Sequence, residues 1–157
     1  MHASAVFYTS KAFIFSAPSG TGKSTHASLW LSNFGTDKAR IINDDSSAIR
    51  KIGNNFFVYS TPWSGNQNLN FSIKAPLQAI SFIEQSQTNW ISRLNPSEVV
   101  CFLLMNIRKS ANPLYMNSLL QTLSKLIINV PIFKMGCTIS SSAVEMAFST
   151  MNENKVI

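Results

Sequence analysis

Residues 12–24 read AFIFSAPSGTGKS, and they are the most informative part of the chain for its architecture. Residues 12–15 are a short apolar run of strand length, which predicts a buried strand. Pro18 and two glycines then exclude continuation as a helix or as a central strand. The residues from Lys23 to about Phe34 suit a helix, and Gly35 is a natural C-terminal stop. A strand, a glycine-rich loop and a helix in this order are the arrangement that binds phosphate.

The loop itself follows a phosphate-binding pattern. Residues 17–24, APSGTGKS, match G-x-x-x-x-G-K-[ST] except that Ala17 replaces the first glycine. The two later glycines allow backbone conformations in which successive N–H groups point at a phosphate. The pattern predicts that Lys23 reaches the β- and γ-phosphates and that the Ser24 hydroxyl ligates Mg²⁺. ATP and Mg²⁺ are therefore the expected ligands, and the predicted nucleotide-binding residues are Ser19, Gly20, Thr21, Gly22, Lys23, Ser24 and Thr25.

Two adjacent carboxylates, Asp44 and Asp45, follow a second predicted buried strand at residues 39–42. A nucleoside triphosphate site needs a carboxylate for its metal at the end of a neighbouring strand. Only one helix separates this pair from Lys23, so the sequence predicts a tight β-loop-α-β unit. A divalent cation would relieve the repulsion between the carboxylates. One of them can hold Mg²⁺ while the other accepts the proton of an attacking hydroxyl, and the residues alone leave the order open.

The composition limits the classes of protein that fit. With 157 residues, 45 % of them hydrophobic, the chain has the length of one domain and enough apolar residues to exclude wholesale disorder. No apolar run approaches the roughly 18 residues of a transmembrane helix. The net charge of +6 favours anionic partners such as nucleotides or acidic peptides, but the scattered basic residues argue against nucleic acid. Cys101 and Cys137 indicate buried, reduced thiols in a cytoplasmic protein.

The rest of the chain predicts one α/β domain without internal repeats. Asn95, Pro96 and Glu98 form a helix-capping pattern, and Ser142 and Glu145 repeat it. The predicted strands are residues 5–8, 48–52, 56–60, 79–84, 90–94 and 131–135, and the loop is 61–70. The predicted helices run from Pro96 to about residue 109, from Pro113 onward, and over residues 142–152.

These motifs together resemble the catalytic domain of the HPr kinase/phosphorylase family and its small relatives. The resemblance rests on residues 2–6 (HASAV), on residues 12–25 with the loop, and on residues 42–45 (INDD). Residues 60–65, STPWSG, resemble the T-P-W-x-G stretch of the small relatives. The ATP-dependent phosphoenolpyruvate carboxykinases share this plan of an upstream His, a compact phosphate loop and a double Asp. The similarity is good from His2 to about Gly65 and weaker beyond.

The resemblance implies an α/β fold of the HPr kinase/phosphoenolpyruvate carboxykinase type. It implies one P-loop-containing domain over residues 1–157, with helices packed on a mixed sheet. As a departure from the family, no N-terminal regulatory domain is expected, because His2 is the second residue of the sequence. The resemblance assigns the general base to Asp44 and the metal to Ser24 and Asp45, although the two aspartates could be exchanged. A homo-oligomer is also implied.

Two further roles come from the same resemblance. His2 falls where the family keeps a His beside the catalytic Asp or metal, and Lys23 falls on the phosphate-binding Lys, so both join Asp44 as expected catalytic residues. The family's later catalytic Arg has two candidates here, Arg93 and Arg108.

Three functions compete at this point. The first is an ATP- and Mg²⁺-dependent kinase that phosphorylates a hydroxyl, such as serine of a protein or peptide, with Trp63 bordering the acceptor. The second is a small-metabolite kinase or a carboxykinase-like enzyme, for which the chain is short. The third is a non-catalytic ATP-binding regulatory module. None of the three requires nucleic acid or a membrane as partner.

Overall fold

The computed structural model describes residues 1–63 and 74–153, which form eight strands and four helices. None of the helices in these two ranges has the length and apolarity to span a bilayer. In chain order the elements are β1 (Ser4–Tyr8), β2 (Lys11–Ser16), α1 (Lys23–Phe34), β3 (Arg40–Asn43), β4 (Ala48–Ile52), β5 (Asn55–Tyr59), β6 (Lys74–Gln85), β7 (Trp90–Arg93), α2 (Pro96–Asn106), α3 (Pro113–Asn129), β8 (Ile132–Cys137) and α4 (Ser141–Asn152).

The predicted strands and helices are all present, and most of their ends differ from the prediction by one or two residues at most. Two differences are larger. The strand predicted at residues 79–84 is the second half of the longer β6. The helix predicted to reach residue 109 ends at Asn106, because Ile107 is already extended. The predicted loop at 61–70 lies outside the described residues from residue 64 onward.

The strands form a mixed sheet that brings four strand ends to one edge. β1 lies between β2 and β3 and is antiparallel to both, so β2 and β3 run in the same direction. β6 pairs in parallel with β2 and with β8. The carboxyl ends of β2, β3, β6 and β8 therefore share one edge with the start of β1. In open α/β sheets this is the edge where ligands bind.

The strand before the glycine-rich loop and the strand before the aspartates were predicted to be neighbours. This prediction is wrong, because β1 lies between β2 and β3. Val6 of β1 pairs with Phe13 on one side and with Ile41 on the other. Ala5 and Val6 lie on opposite faces of the strand, and both are fully buried, as an interior strand requires. The β-loop-α-β unit itself is present in chain order as β2, α1 and β3, with the antiparallel β1 inserted between its two parallel strands.

Apolar side chains cover both faces of the sheet. Phe13 and Phe15 pack with Trp30 of α1 on one face, with ring centroids 5.0 and 5.5 Å apart. Ile14 belongs to the cluster on the other face, together with Leu103 of α2. Because successive side chains of β2 point to opposite faces of the sheet, α1 and α4 pack against one face, and α2 and α3 pack against the other.

The helix ends follow the predicted signals with one correction. Gly35 ends α1 at φ 85°, and the capping box of Asn95 and Glu98 begins α2. The second predicted capping box, at residues 142–145, is wrong. Ser140 is the N-cap of α4, because its backbone is extended and its hydroxyl accepts the N–H of Ala143.

The two thiols differ in their surroundings. Both are free, as predicted, and Cys137 is half-buried at the end of β8. Cys101 is exposed on α2, so the prediction of a buried thiol is wrong there. The buried side of α2 is formed by Val99 and Leu103, which leaves the residue halfway between them facing outward.

Candidate active site

The loop between β2 and α1 has open space beside its glycines. Gly20 and Gly22 have φ of 79° and 111°, which L side chains rarely adopt. Apart from its own chain neighbours and the backbone of its own helix, a Cβ at either position would meet no atom of the described residues within 4 Å. Gly22 is the N-cap of α1, and no side chain in the described ranges caps this helix end. Because the end of a helix with such uncapped N–H groups favours an anion, the geometry fits the predicted phosphate.

Lys23 is a cation held inside this loop. Its side chain is only 6 % exposed, and Nζ donates to the carbonyl oxygens of Ala17 at 2.9 Å and of Pro18 at 3.1 Å. Burial lowers the pKa of the ammonium group below its ordinary 10.5, and the carboxylates of Asp45 and Asp44 partly oppose this. A phosphate would give this buried charge stronger, charge-assisted partners than the neutral carbonyls.

Asn43 shapes the turn that carries the two aspartates. Its Oδ1 accepts the N–H groups of Asp45 at 3.0 Å and of Ser46 at 2.8 Å. Its Nδ2 donates to Thr61 Oγ1 at 2.8 Å, and that hydroxyl donates to the carbonyl oxygen of Ser46. The sequence analysis assigned Asn43 no role beyond the end of a strand. The signal that could have identified it is an Asn that begins a turn and bonds the backbone two residues on.

Residues 2–4 lie against the same turn. Ser4 Oγ donates to Asp44 Oδ1 at 2.7 Å, and the N–H of Ala3 donates to the carbonyl oxygen of Asp45 at 3.0 Å. His2 Nδ1 lies 3.2 Å from Asp45 Oδ1, and these two side chains are 41 % and 50 % exposed. The structure thus brings His2 to the aspartates, as the resemblance implied. Sequence reasoning gave Ser4 no role, because its partner is 40 residues away.

The predicted residues at the start of α1 lie on the open side of the loop. Four of them are exposed, namely Ser19, Gly20, Ser24 and Thr25, and Thr21 is half-buried. In residues 1–63 and 74–153 no three His, Cys, Asp or Glu side chains are grouped to hold a metal. A Mg²⁺ ion commonly takes one or two carboxylates together with the phosphates of its substrate. Asp45 is a carboxylate of that kind, and the Ser24 hydroxyl is the oxygen ligand that the phosphate-binding pattern supplies, so the chemistry of both fits the ion.

A cavity of about 460 Å³ opens beside the acidic turn. Its walls include His2, Pro18, Asp45 and Arg108, and it is named the acidic cavity below. Of the two arginine candidates, the structure therefore brings Arg108 to the site. Arg93 lies in β7 opposite Phe133 of β8 and does not line this cavity.

A second cavity, of about 510 Å³, adjoins the glycine-rich loop and is named the loop cavity. Gly20, Gly22, His26 and Thr138 are among its lining residues. His26 Nε2 accepts the indole N–H of Trp30 at 3.2 Å, so the proton of the neutral ring is on Nδ1. That nitrogen is buried and has no hydrogen-bond partner in the described part of the chain. Burial lowers the pKa of His26 from 6.5 to about 4.

Comparison with known proteins supports the fold. No family model and no curated protein matches the chain. Among solved structures, the chain is similar to the Hpr(Ser) kinase/phosphatase from Coxiella burnetii, with 10 % identity and a TM-score of 0.52. The match covers 97 % of this chain and 93 % of that chain. The protein therefore has a mixed α/β fold that is distantly similar to the fold of an Hpr(Ser) kinase/phosphatase.

Proposed function

We propose that the protein is an ATP- and Mg²⁺-dependent kinase that phosphorylates a hydroxyl group, namely serine of a protein or peptide. One observation carries this proposal: the loop with buried Lys23 and the turn with Asp44 and Asp45 share one edge of the sheet, close enough for both carboxylates to act on the pKa of Lys23. A cation for phosphates beside a pair of carboxylates is the combination that phosphoryl transfer needs. The fold similarity to an Hpr(Ser) kinase/phosphatase supports the same class.

The nucleotide has room on the loop side of this site. In the proposal, Ser19 to Thr25 surround the phosphates with backbone N–H groups, and Lys23 turns from the carbonyl oxygens of the loop to the phosphate oxygens. The loop cavity accepts the nucleoside, because Gly20 and Gly22 form one of its walls.

Ser24 and Asp45 would hold Mg²⁺, which supplies neutralisation of the phosphate charge. His2 lies against the Asp45 carboxylate and restricts its orientation. Asn43 fixes the backbone of the same turn through two N–H groups. These contacts position the carboxylate before any ligand arrives.

Asp44 is proposed as the general base. Ser4 occupies one of its oxygens, which orients the carboxylate and leaves the other oxygen for the acceptor hydroxyl. As the hydroxyl oxygen bonds to the γ-phosphorus, its proton passes to Asp44. The bond from the γ-phosphorus to the bridging oxygen breaks, and ADP leaves. Asp45 is on the same turn and could serve as the base instead, with Asp44 as the metal ligand. The variants Asp44→Asn and Asp45→Asn distinguish these two assignments.

Calorimetric titration of Mg²⁺-ATP tests the nucleotide site. Removal of a charge-assisted contact in Lys23→Ala should cost about 1.5–3 kcal/mol, which is about ten- to a hundredfold in Kd. Lys38→Ala, an exposed lysine after α1, is the matched control and should bind like the wild type. Absence of wild-type binding at millimolar Mg²⁺-ATP, or equal binding by Lys23→Ala, would remove the basis of the proposal.

Transfer of radiolabelled γ-phosphate then tests the reaction. We expect label in serine-containing peptides and none with Asp44→Asn. Label only in small hydroxy acids would indicate a metabolite kinase instead. Binding of ATP without transfer to any acceptor would indicate a regulatory module.

A further inference from the structure

A third cavity, of about 350 Å³, adjoins the acidic cavity. It is named the apolar cavity, and its walls include Ile49, Phe56, Leu103 and Leu123. Residues 19–25 line neither the acidic cavity nor the apolar cavity, so the apolar cavity is separate from the space assigned to the nucleotide.

The two cavities meet at a shared set of residues. Four residues line both of them: Met1, Ser46, Ile107 and Arg108. Ser46 directly follows Asp45, and its N–H is held by Asn43 in the hydrogen-bonded turn that positions the aspartates. A molecule that presents its hydroxyl to the acidic turn would therefore have its neighbouring group at the entrance of the apolar cavity.

The walls determine what kind of group fits there. Phe56, Leu103 and Leu123 are buried side chains of β5, α2 and α3 that leave this space between them. Its volume lies at the lower end of the range for ligand pockets, which suits one large apolar side chain rather than a large cofactor.

The entrance carries a cation. Arg108 makes no ion pair with any residue in the described ranges, and its guanidinium carbon lies 5.9 Å from the ring centre of Trp63, which is 63 % exposed. Both residues line the apolar cavity. A guanidinium at the edge of a pocket, in a protein of net charge +6, complements a carboxylate on the incoming molecule.

We propose that the apolar cavity is the specificity pocket of the phosphoryl acceptor, and that the acceptor is a peptide segment. Its serine is next to a large apolar side chain, which fills the cavity, and close to a carboxylate, which pairs with Arg108. This inference rests on the proposed kinase function. It adds the chemical class of the substrate, which the loop and the aspartates do not determine.

A peptide library tests it with the full chain. The library has one fixed serine with randomised residues on both sides, and phosphorylated peptides are collected after incubation with Mg²⁺-ATP. We expect selection of Leu, Ile or Phe over Ala at one position near the serine, by about tenfold or more from the burial of such a side chain. Asp or Glu should be selected at a second position.

Variants connect each preference to its pocket. Thr122→Trp fills the cavity from an exposed position of α3 and should abolish the apolar preference. Gln121→Trp is its control, because the neighbouring residue is also exposed and does not line the cavity. Arg108→Gln should abolish the acidic preference, and Lys109→Gln should retain it. If Thr122→Trp fails to fold, Ile49→Trp fills the same cavity from β4.

The outcomes separate this inference from the function on which it rests. Phosphorylation without an apolar preference, or with a preference that Thr122→Trp and Ile49→Trp retain, overturns the specificity pocket and leaves the kinase. Normal Mg²⁺-ATP binding with no phosphorylated peptide overturns the peptide acceptor. Loss of Mg²⁺-ATP binding in the wild type refutes the proposed function itself.

Discussion

The buried imidazole of His26 should make the protein less stable in mild acid. The ring is 2 % exposed beside the glycine-rich loop, and burial lowers its pKa from 6.5 to about 4. Between these values the unfolded chain binds a proton that the folded protein does not bind. The free energy of unfolding therefore falls as the pH falls through this window.

The expected size follows from the two pKa values. One unit corresponds to about 1.4 kcal/mol, so at pH 4 the contribution lost from His26 is about 3 kcal/mol. This loss is a large part of the free energy of unfolding of a typical domain, which is about 5–15 kcal/mol. Carboxylates also titrate in this range, so the prediction concerns the difference between the wild type and a variant that lacks the imidazole.

His26→Gln is the suitable variant, because its amide oxygen can still accept the indole N–H of Trp30, which is now bonded to Nε2. Urea unfolding at several pH values from 7 to 4 should give curves that diverge by about 3 kcal/mol in favour of the variant at the acid end. His2→Gln, at the other histidine, controls for the change of residue type. If the unfolding free energies of the wild type and His26→Gln change in parallel with pH, or if only His2→Gln loses the pH dependence, His26 is not the group that destabilises the protein in acid.

Three further predictions concern the loop and the acidic turn. Asp44→Asn should abolish phosphoryl transfer with Mg²⁺-ATP affinity retained, whereas Asp45→Asn should weaken that affinity about tenfold in calorimetry. The reverse pattern would exchange their roles. Asn43→Ala leaves two backbone N–H groups without their acceptor and should lower the free energy of unfolding in urea by about 1–3 kcal/mol. Gly22→Ala places a Cβ at φ 111° and should cost about 1–2 kcal/mol by the same assay, and unchanged stability would contradict the left-handed loop.

The local parts of the fold could be predicted because their signals are local. The β2–loop–α1 segment combines an apolar run, Pro18, two glycines and Gly35 within a short stretch. Its helix has the predicted bounds, Lys23–Phe34. The adjacent aspartates were visible for the same reason. The position of His2 came from the resemblance, since nothing in its own surroundings along the chain indicates a site.

The order of the strands could not be predicted, because pairing joins residues that are distant in the chain. β1, β2 and β3 are all short apolar runs, and nothing in these runs shows that β1 lies in the middle. The first half of β6 contains Pro76, and a proline argues against a strand because it lacks the N–H that a strand donates. In the structure Pro76 nevertheless pairs with Phe57 of β5.

The choice between Arg93 and Arg108 also needed tertiary structure. Both are single basic residues without a local motif. Only the packing of α2 against the start of the chain, where Asn106 accepts the N–H of His2, brings Arg108 to the acidic cavity.

The two parts of the proposed site come from different stretches of the chain. The loop, the acidic turn and His2 all belong to the first 46 residues, which fold around β1. One side of the apolar cavity is instead formed by α2 and α3, which come later in the sequence and pack on the sheet. In the proposed kinase, exchange of these two helices between related chains would change the acceptor preference while the loop, the acidic turn and His2 stay the same, and the hydrogen bond from the His2 N–H to the Asn106 carbonyl oxygen is the contact to keep. Under the proposed function, such an arrangement would let the site diversify by recombination rather than by stepwise change.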